Sequence, residues 1–257
     1  MAGRIAQFLE GWHKRRTSEL WARAAAEAAA LDSFELRSLR AEAKGLRRQL
    51  DRVVQVADMQ LTAPALGGGL PPMPAGADWT WRPDAWRGPL PEPGTIAAGG
   101  RTAIADNLAL YHDCPLGEVI VRQLRNDPAE AQAPYGLSIE VFGFRGSFLS
   151  LALNLPDAAG ASLKSRHLVQ AALVIDSDRP VRAFARMNVK HGPNLAQPVS
   201  DLPASSRERL AEFDLAYADI NDQRIERAWV DLILNDVAMT RIVIRDVVVS
   251  RRFRAEL

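Results

Sequence analysis

The sequence predicts a mainly β protein, an antiparallel β-sandwich or jelly roll that follows an α-helical N-terminal arm. Three observations lead to this prediction. Residues 1–61 show helical spacing of apolar residues, and residues 62–103 hold half of the chain's Pro and nearly half of its Gly. From residue 104 to residue 257 the apolar period changes to two, which is typical of strands. We therefore expect a basic helical arm (1–61), a Pro/Gly/Trp-rich strap (62–103) and a sandwich (104–257).

The strands of the sandwich are predicted from alternation between clusters of turn residues. The candidates are 117–125, 136–145, 147–155, 166–176, 181–190, 209–217, 225–235 and 240–253. Pro, Gly, Asn and Asp separate them, as in Asn126-Asp127-Pro128, and no long helical pattern intervenes. About eight strands joined by turns favour an antiparallel sandwich over an α/β fold. In the strap, Trp79, Trp81 and Trp86 are predicted to insert into grooves of the protein, because exposed indoles are costly.

The polar face of two strands supplies the candidate ligand-binding residues. Alternation along 181–190 and 225–235 puts small and branched apolar residues on one face. The other face carries Arg186, Asn188, Arg227, Trp229 and Asp231. Aromatic rings that stack and planar polar groups that bond hydroxyls are the residue types of sugar-binding surfaces. The alternative is that Trp229 belongs to the core or lies beneath the strap.

The arm offers two candidate contact surfaces. Near its start an apolar face with basic neighbours suits packing on the protein's own β domain, a partner protein or an anionic membrane surface; its residues are Phe8, Leu9, Trp12, Arg15 and Arg16. Further on, an a/d heptad seam predicts self-association as a coiled coil; its residues include Leu36, Leu39, Leu46, Leu50 and Val53. The seam could instead fold back on residues 5–30 as a helical hairpin.

Composition excludes several classes of protein. The formal net charge is +1, so nucleic acid is disfavoured as a partner. A single cysteine, Cys114, excludes an internal disulfide and a cysteine-based zinc site. There is no apolar run of about 20 residues and no apolar core of a secretory signal, so a cytoplasmic location is expected, peripheral at the inner membrane if the arm binds lipid. No cofactor or metal motif is found, and none is expected.

Catalysis has little support in the sequence. Carboxylates of a saccharide hydrolase could come from Glu140, Asp214, Asp219, Glu226 and Asp231, provided that two of them flank one cleft at the separations that glycosidases use. His112 and Cys114 share a strand face and could form a nucleophile pair, although a buried thiol beside a hydrogen-bonded histidine is the commoner arrangement. The hydrolase is the alternative to our leading hypothesis of a non-catalytic binding or scaffold protein, which presents its sandwich to a glycan or an envelope component.

Five segments carry a resemblance to a known family: YHDCPLGEVIVRQLRN, FRGSFLSLALNLP, ARMNVKHGPN, EFDLAYADINDQRIERAWVDLI and IRDVVVSRRFRAEL. Together they resemble an uncharacterised alphaproteobacterial family, of the kind found in Rhodobacter-like bacteria. The resemblance extends to the basic arm and the Trp-rich strap, and it implies a bacterial source and this domain order, without an activity. The final strand, with Asp246, is also similar to the closing strand of galactose-binding-like jelly rolls.

Overall fold

A computed structural model describes residues 16–62, 71, 73–127 and 132–254. The chain divides into two compact units, Met1–Val53 and Val54–Leu257, and each unit is described by itself.

The N-terminal arm is helical where it is described. Helix α1 occupies 16–27, a 3-10 turn follows at Ala28–Ala30, and α2 runs over Ser33–Thr62. Asp32 caps α2, because its carboxylate accepts hydrogen bonds from the backbone N–H groups of Phe34 and Glu35, both at 2.8 Å, which would otherwise lack partners. Among the described residues, no helix is both long and apolar enough to cross a membrane.

Fourteen strands in the described residues form two antiparallel sheets of seven strands each. Sheet I has the order β12-β8-β14-β6-β5-β2, and β1 pairs with β14. Its strands are β1 Ala77–Trp81, β2 Gly94–Ile96, β5 Val119–Arg125, β6 Tyr135–Val141, β8 His167–Ser177, β12 Glu208–Asp214 and β14 Thr240–Phe253. Sheet II has the order β10-β9-β13-β7-β4-β3, and β11 pairs with β9. Its strands are β3 Arg101–Ala105, β4 Leu108–His112, β7 Leu149–Asn154, β9 Arg182–His191, β10 Asn194–Ala196, β11 Val199–Leu202 and β13 Ile225–Asn235.

The core lies between the two sheets and confirms the predicted sandwich. Every second residue of β13, namely Ala228, Val230, Leu232 and Leu234, is buried in one apolar cluster with the inner residues of β6 and β14. The eight predicted strands coincide with β5, β6, β7, β8, β9, β12, β13 and β14 to within a few residues. Two short helices, α3 (Asp84–Arg87) and α4 (Asp157–Ala161), and a 3-10 turn at Leu215–Tyr217 lie between the strands of this unit.

The Trp-rich strap is part of the sandwich. Trp86 is fully buried, and its indole N–H donates to the backbone oxygen of Ile244 at 2.9 Å. The Arg82 guanidinium donates two hydrogen bonds of 2.8 Å to the Asp246 carboxylate, and both residues are buried, at 2% and 7% exposure. Residues that the sequence placed outside the sandwich therefore contribute β1, β2 and a buried ion pair to it.

Candidate functional site

The outer face of sheet II carries the predicted ligand-binding residues. Their strands lie side by side in the sheet, since β13 pairs with β9 on one edge and with β7 on the other. Because the inner residues of these strands are apolar and buried, alternation turns Trp229 and Asp231 outward on β13 and Arg186 and Asn188 outward on β9. The register sets Trp229 opposite Asn188 and Asp231 opposite Arg186.

A buried hydrogen-bond network stiffens the centre of this face. The Arg186 guanidinium donates to one Asp231 carboxylate oxygen at 2.8 Å and 3.2 Å, and the Asn188 amide donates to the same oxygen at 2.9 Å. The Gln197 amide then donates to the Asn188 carbonyl oxygen at 2.7 Å. Asn188 is fully buried and Asp231 is 7% exposed, whereas the Arg186 side chain remains 37% exposed. The network therefore positions Arg186 and leaves part of its guanidinium accessible.

Trp229 stands next to this network and is half-buried. The exposed side chain of Arg227, two residues earlier on the same face, holds its guanidinium carbon 5.0 Å from the indole centroid, a cation–π contact. Lys190 lies opposite Arg227 in the register, and its ammonium forms a 2.8 Å ion pair with Glu226. Trp229 thus presents an aromatic surface beside two basic side chains.

A strip of small outward-facing residues, called the trough below, continues from Trp229 across the sheet. It is formed by Ala152, which pairs with Asp231, and by Ala109, which pairs with Ala152; both are buried although they face outward. Ser150, flanked in the register by Tyr111 and Ile233, is 6% exposed. Its hydroxyl has no hydrogen-bond partner among the described residues.

The far end of the trough repeats the pairing of an arginine with an aromatic ring. Arg101 lies opposite Tyr111 in the register. Its Nε donates to the Tyr111 hydroxyl at 3.0 Å, and its guanidinium carbon is 5.9 Å from the ring centroid. Sequence reasoning missed Arg101, Tyr111 and Gln197 as members of this face. Alternation around Tyr111 was the available signal for β4, whereas Gln197 follows a short strand that no pattern marked.

The outer face of sheet I differs, because its charges are paired with one another. Glu140 forms an ion pair with Arg122, and this hydrogen bond holds the pKa of the Glu140 carboxyl below its ordinary value. Asp176 contacts Arg207 at 2.6 Å and Arg245 at 2.8 Å. Each of these carboxylates is therefore engaged in ion pairs with neighbouring arginines.

The carboxylates proposed for a hydrolase are distributed over both sheets. Glu140 lies on sheet I and Asp231 on sheet II. Glu226 and Asp231 are five residues apart on β13, about 17 Å along an extended strand, which exceeds the separations of about 5–9.5 Å used by glycosidases. Asp214 caps the turn at Leu215–Tyr217 and lies 3.4 Å from Arg254. Asp219 follows in the loop before β13.

His112 and Cys114 are engaged by the backbone. The Cys114 N–H donates to His112 Nδ1 at 3.2 Å, and His112 Nε2 lies 2.9 Å from the Ala97 oxygen. Since Nδ1 accepts, Nε2 carries the proton and donates to Ala97, so neither nitrogen is directed to the thiol. Within the described residues, His, Cys, Asp and Glu side chains form no group of three or more that could hold a metal ion.

A cleft of about 410 Å³ lies away from the trough, at the end of the sandwich where β7 begins and β13 ends. Phe144, Phe148 and Leu234 line it, and the Arg182–Asp236 ion pair, at 3.0 Å, stands at its edge. Both partners of that pair are mostly exposed. Ser147, also in the lining, donates its hydroxyl to the Asp113 carboxylate at 2.6 Å.

The arm residues are only partly described. Phe8, Leu9, Trp12 and Arg15 lie outside the described residues, whereas Arg16 lies in α1, and membrane contact by this segment stays a prediction. Of the predicted seam, Leu39 and Leu46 are half-buried. Leu36, Leu50 and Val53 are 39%, 56% and 67% exposed.

The chain matches the model of one family over residues 1–257, described as a family of unknown function, DUF6478. No curated protein matches the sequence.

Solved structures to which this chain is similar include three at low sequence identity. The enzymatically active domain of tailspike protein 4 of bacteriophage CBA120 is 9% identical (TM-score 0.41), with 58% of this chain and 20% of that chain covered. A family 11 carbohydrate-binding module of Clostridium thermocellum, in complex with a β-1,3-1,4-mixed-linked tetrasaccharide, is 11% identical (TM-score 0.39; 59% and 92% covered). The CBM22-1 xylan-binding domain of Paenibacillus barcinonensis Xyn10C is 9% identical (TM-score 0.37; 63% and 94% covered).

Proposed function

We propose that this chain, which belongs to the DUF6478 family over residues 1–257, is a non-catalytic carbohydrate-binding protein that uses the outer face of sheet II. One observation carries the proposal: Trp229 is half-buried on an outer sheet face, beside a guanidinium, Arg186, that a buried network holds in place. A half-exposed aromatic ring next to fixed planar donors suits a sugar, since the C–H face of the sugar packs on the ring and the sugar hydroxyls accept hydrogen bonds from the donors.

The residues of the face have different roles in this proposal. Trp229, Arg227 and Arg186 contact the ligand, because each retains exposed surface. Asn188 and Asp231 position Arg186, since their polar atoms are buried and already bonded to protein groups. Such preorganisation reduces the conformational entropy that the protein loses when the ligand binds.

The test is binding of the full chain to a glycan array, with Trp229→Ala as the informative variant. Tyr217→Ala is the matched control, because Tyr217 is also an outer aromatic with an arginine, Arg254, 5.1 Å from its ring centroid, and it follows β12 of sheet I. We expect Trp229→Ala to weaken binding at least about tenfold, as truncating a central aromatic contact does, and Tyr217→Ala to leave affinity unchanged.

The outcomes separate the proposal from its alternatives. Equal loss in both variants, or glycan binding that Trp229→Ala does not weaken, would place the site elsewhere on the molecule. The absence of binding to every glycan by a folded chain would remove the carbohydrate ligand. Thermal unfolding of both variants must accompany the measurement, so that loss of fold is not taken for loss of binding.

We also propose that a second copy of the chain binds to the exposed half of the α2 seam. The supporting observation is that Leu50 and Val53 are mostly exposed at consecutive a/d positions, which coiled coils bury between helices. The more buried Leu39 and Leu46 fit the alternative of a hairpin within the arm. Leu50→Lys should lower the mass found by light scattering, whereas Leu210→Lys, at a residue of similar exposure on β12, should not. An unchanged mass for Leu50→Lys would refute self-association through this seam.

A further inference from the structure

We infer that the ligand of the sheet II face is an acidic linear glycan, whose anionic groups are bound by Arg227 at one end of the trough and by Arg101 at the other. The inference rests on the proposed function and names the chemical class of its ligand.

The two arginines differ from most arginines of the sandwich in lacking an acidic partner. In the described residues, no carboxylate lies within ion-pair distance of either guanidinium, while Arg82, Arg122, Arg182, Arg186, Arg207, Arg245 and Arg251 all have one. Arg227 and Arg101 are instead held near the rings of Trp229 and Tyr111. The Arg227 guanidinium rests on its ring with its N–H edge free, and such an edge can bind a carboxylate or phosphate in a bidentate manner. Arg101 uses its Nε to donate to the Tyr111 hydroxyl, and its two terminal nitrogens remain to bind an anion.

Local electrostatics at the Trp229 end also favours an anion. Arg227 lies directly opposite Lys190 in the β13–β9 register, and like charges at opposed positions destabilise a sheet. Glu226 neutralises Lys190, so one positive charge, that of Arg227, remains uncompensated. A bound anion would supply the missing charge.

The trough fits a linear chain that crosses the strands. Between Trp229 and Tyr111 lie two strand spacings and four residues of register offset, a span of about 17 Å, and Arg101 lies one strand beyond Tyr111. The residues between Trp229 and Tyr111 are Ala109 and Ala152, whose side chains end at the methyl group. An acidic polysaccharide supplies hydroxyls along its length and anionic groups at intervals.

The experiment measures affinity of the full chain for oligogalacturonate and for its methyl ester, which has the same backbone without the charges. An array of acidic glycans that carry uronate, sialate or phosphate groups, and a single-stranded DNA oligonucleotide of matched charge, complete the panel. The variants are Arg227→Gln and Arg101→Gln. Arg166→Gln is the matched control, since Arg166 is also exposed, with its guanidinium carbon 4.8 Å from the Phe253 ring centroid, but lies beside sheet I.

We expect at least one acidic glycan to bind at least about tenfold more tightly than its neutral counterpart. Arg227→Gln and Arg101→Gln should each reduce the affinity for that glycan about tenfold, as for loss of a charged hydrogen bond. Arg166→Gln should bind as the unaltered chain does, and added salt should weaken the interaction.

Binding of neutral glycans alone, lost in Trp229→Ala, would overturn the acidic ligand and leave the proposed function standing. Binding of no glycan would overturn both. Equal affinity for the DNA oligonucleotide, with the same dependence on Arg101 and Arg227, would overturn the glycan class.

Discussion

Removing the guanidinium of Arg82 should destabilise the whole sandwich. Arg82→Met leaves the Asp246 carboxylate, 7% exposed, without the two 2.8 Å hydrogen bonds that it now accepts. Breaking a buried ion pair by deleting one partner costs about 3–5 kcal/mol, because the remaining charge stays buried and uncompensated. For a unit of this size each kcal/mol corresponds to about 2–4 °C, so Tm should fall by about 6–20 °C.

A double-mutant cycle distinguishes the loss of the ion pair from the loss of packing. Asp246→Leu alone should lower the free energy of unfolding by a similar amount, since it leaves Arg82, which is 2% exposed, without its carboxylate partner. The double variant Arg82→Met/Asp246→Leu buries two apolar side chains in place of two charges, and such replacements are often neutral or stabilising. We therefore expect the double variant to be much more stable than the sum of the single losses predicts.

The assay is urea unfolding of each variant, with the free energy of unfolding taken from the midpoint and slope. Arg182→Met is the matched control, because the Arg182–Asp236 pair has a similar distance, 3.0 Å, but both of its side chains are mostly exposed. Exposed pairs contribute about 0–1 kcal/mol. If Arg82→Met cost no more than Arg182→Met, the strap would not be anchored to the sandwich by this ion pair.

Three further predictions concern stability. His167 is buried, its Nδ1 accepts from the Lys164 N–H at 2.9 Å, and burial lowers its pKa below the ordinary 6.5. As the pH falls, the unfolded chain binds this proton before the folded chain does, so the free energy of unfolding should decrease below about pH 6.5. His167→Asn should reduce the difference between the free energies of unfolding measured in urea at pH 7.5 and at pH 5.5. An unchanged difference would contradict the assignment. Gly117→Ala should cost at least about 1–2 kcal/mol, since φ is +61° and the new Cβ would lie 2.9 Å from the Ala98 oxygen; a Tm equal to that of the unaltered chain would refute this. Trp86→Phe should cost about 2 kcal/mol in urea unfolding, from a lost buried hydrogen bond and a cavity, and a loss below about 0.5 kcal/mol would count against it.

Most of the sandwich was predictable because its long strands alternate cleanly. Along β13 the buried residues Ala228, Val230, Leu232 and Leu234 repeat every two positions, and this period alone assigns the inner face. The β3–β4 hairpin was missed, although Asp106-Asn107 between two apolar runs is a turn signal. Strands β1 and β2 were hidden by the Pro and Gly around them, because a strand at a sheet edge tolerates neighbours that a central strand does not.

The sequence predicted which sheet face each residue of the candidate site occupies, but not which of these residues contact one another. Period two places Arg186, Asn188, Trp229 and Asp231 on outer faces, but which of them meet depends on the register between β9 and β13. Register is set by the whole sheet rather than by local sequence. The sequence therefore could not indicate that Asp231 is occupied by Arg186 and Asn188, nor that Arg227 lies on an indole and lacks an acid.

That difference between paired and unpaired arginines connects the stability of the molecule to its proposed ligand. On sheet I, Arg207 and Arg245 share the single carboxylate of Asp176, so both guanidinium groups are engaged in an ion pair although one positive charge remains in excess. On sheet II, the Arg186 charge is met by Asp231, while Arg227 and Arg101 rest beside aromatic rings at the two ends of the trough. A cation–π contact at an exposed site contributes only about 0.5–1 kcal/mol, and it leaves terminal N–H groups of both guanidinium groups available. The positive charge that the fold leaves unneutralised on this face is therefore the charge best placed to select an anionic ligand.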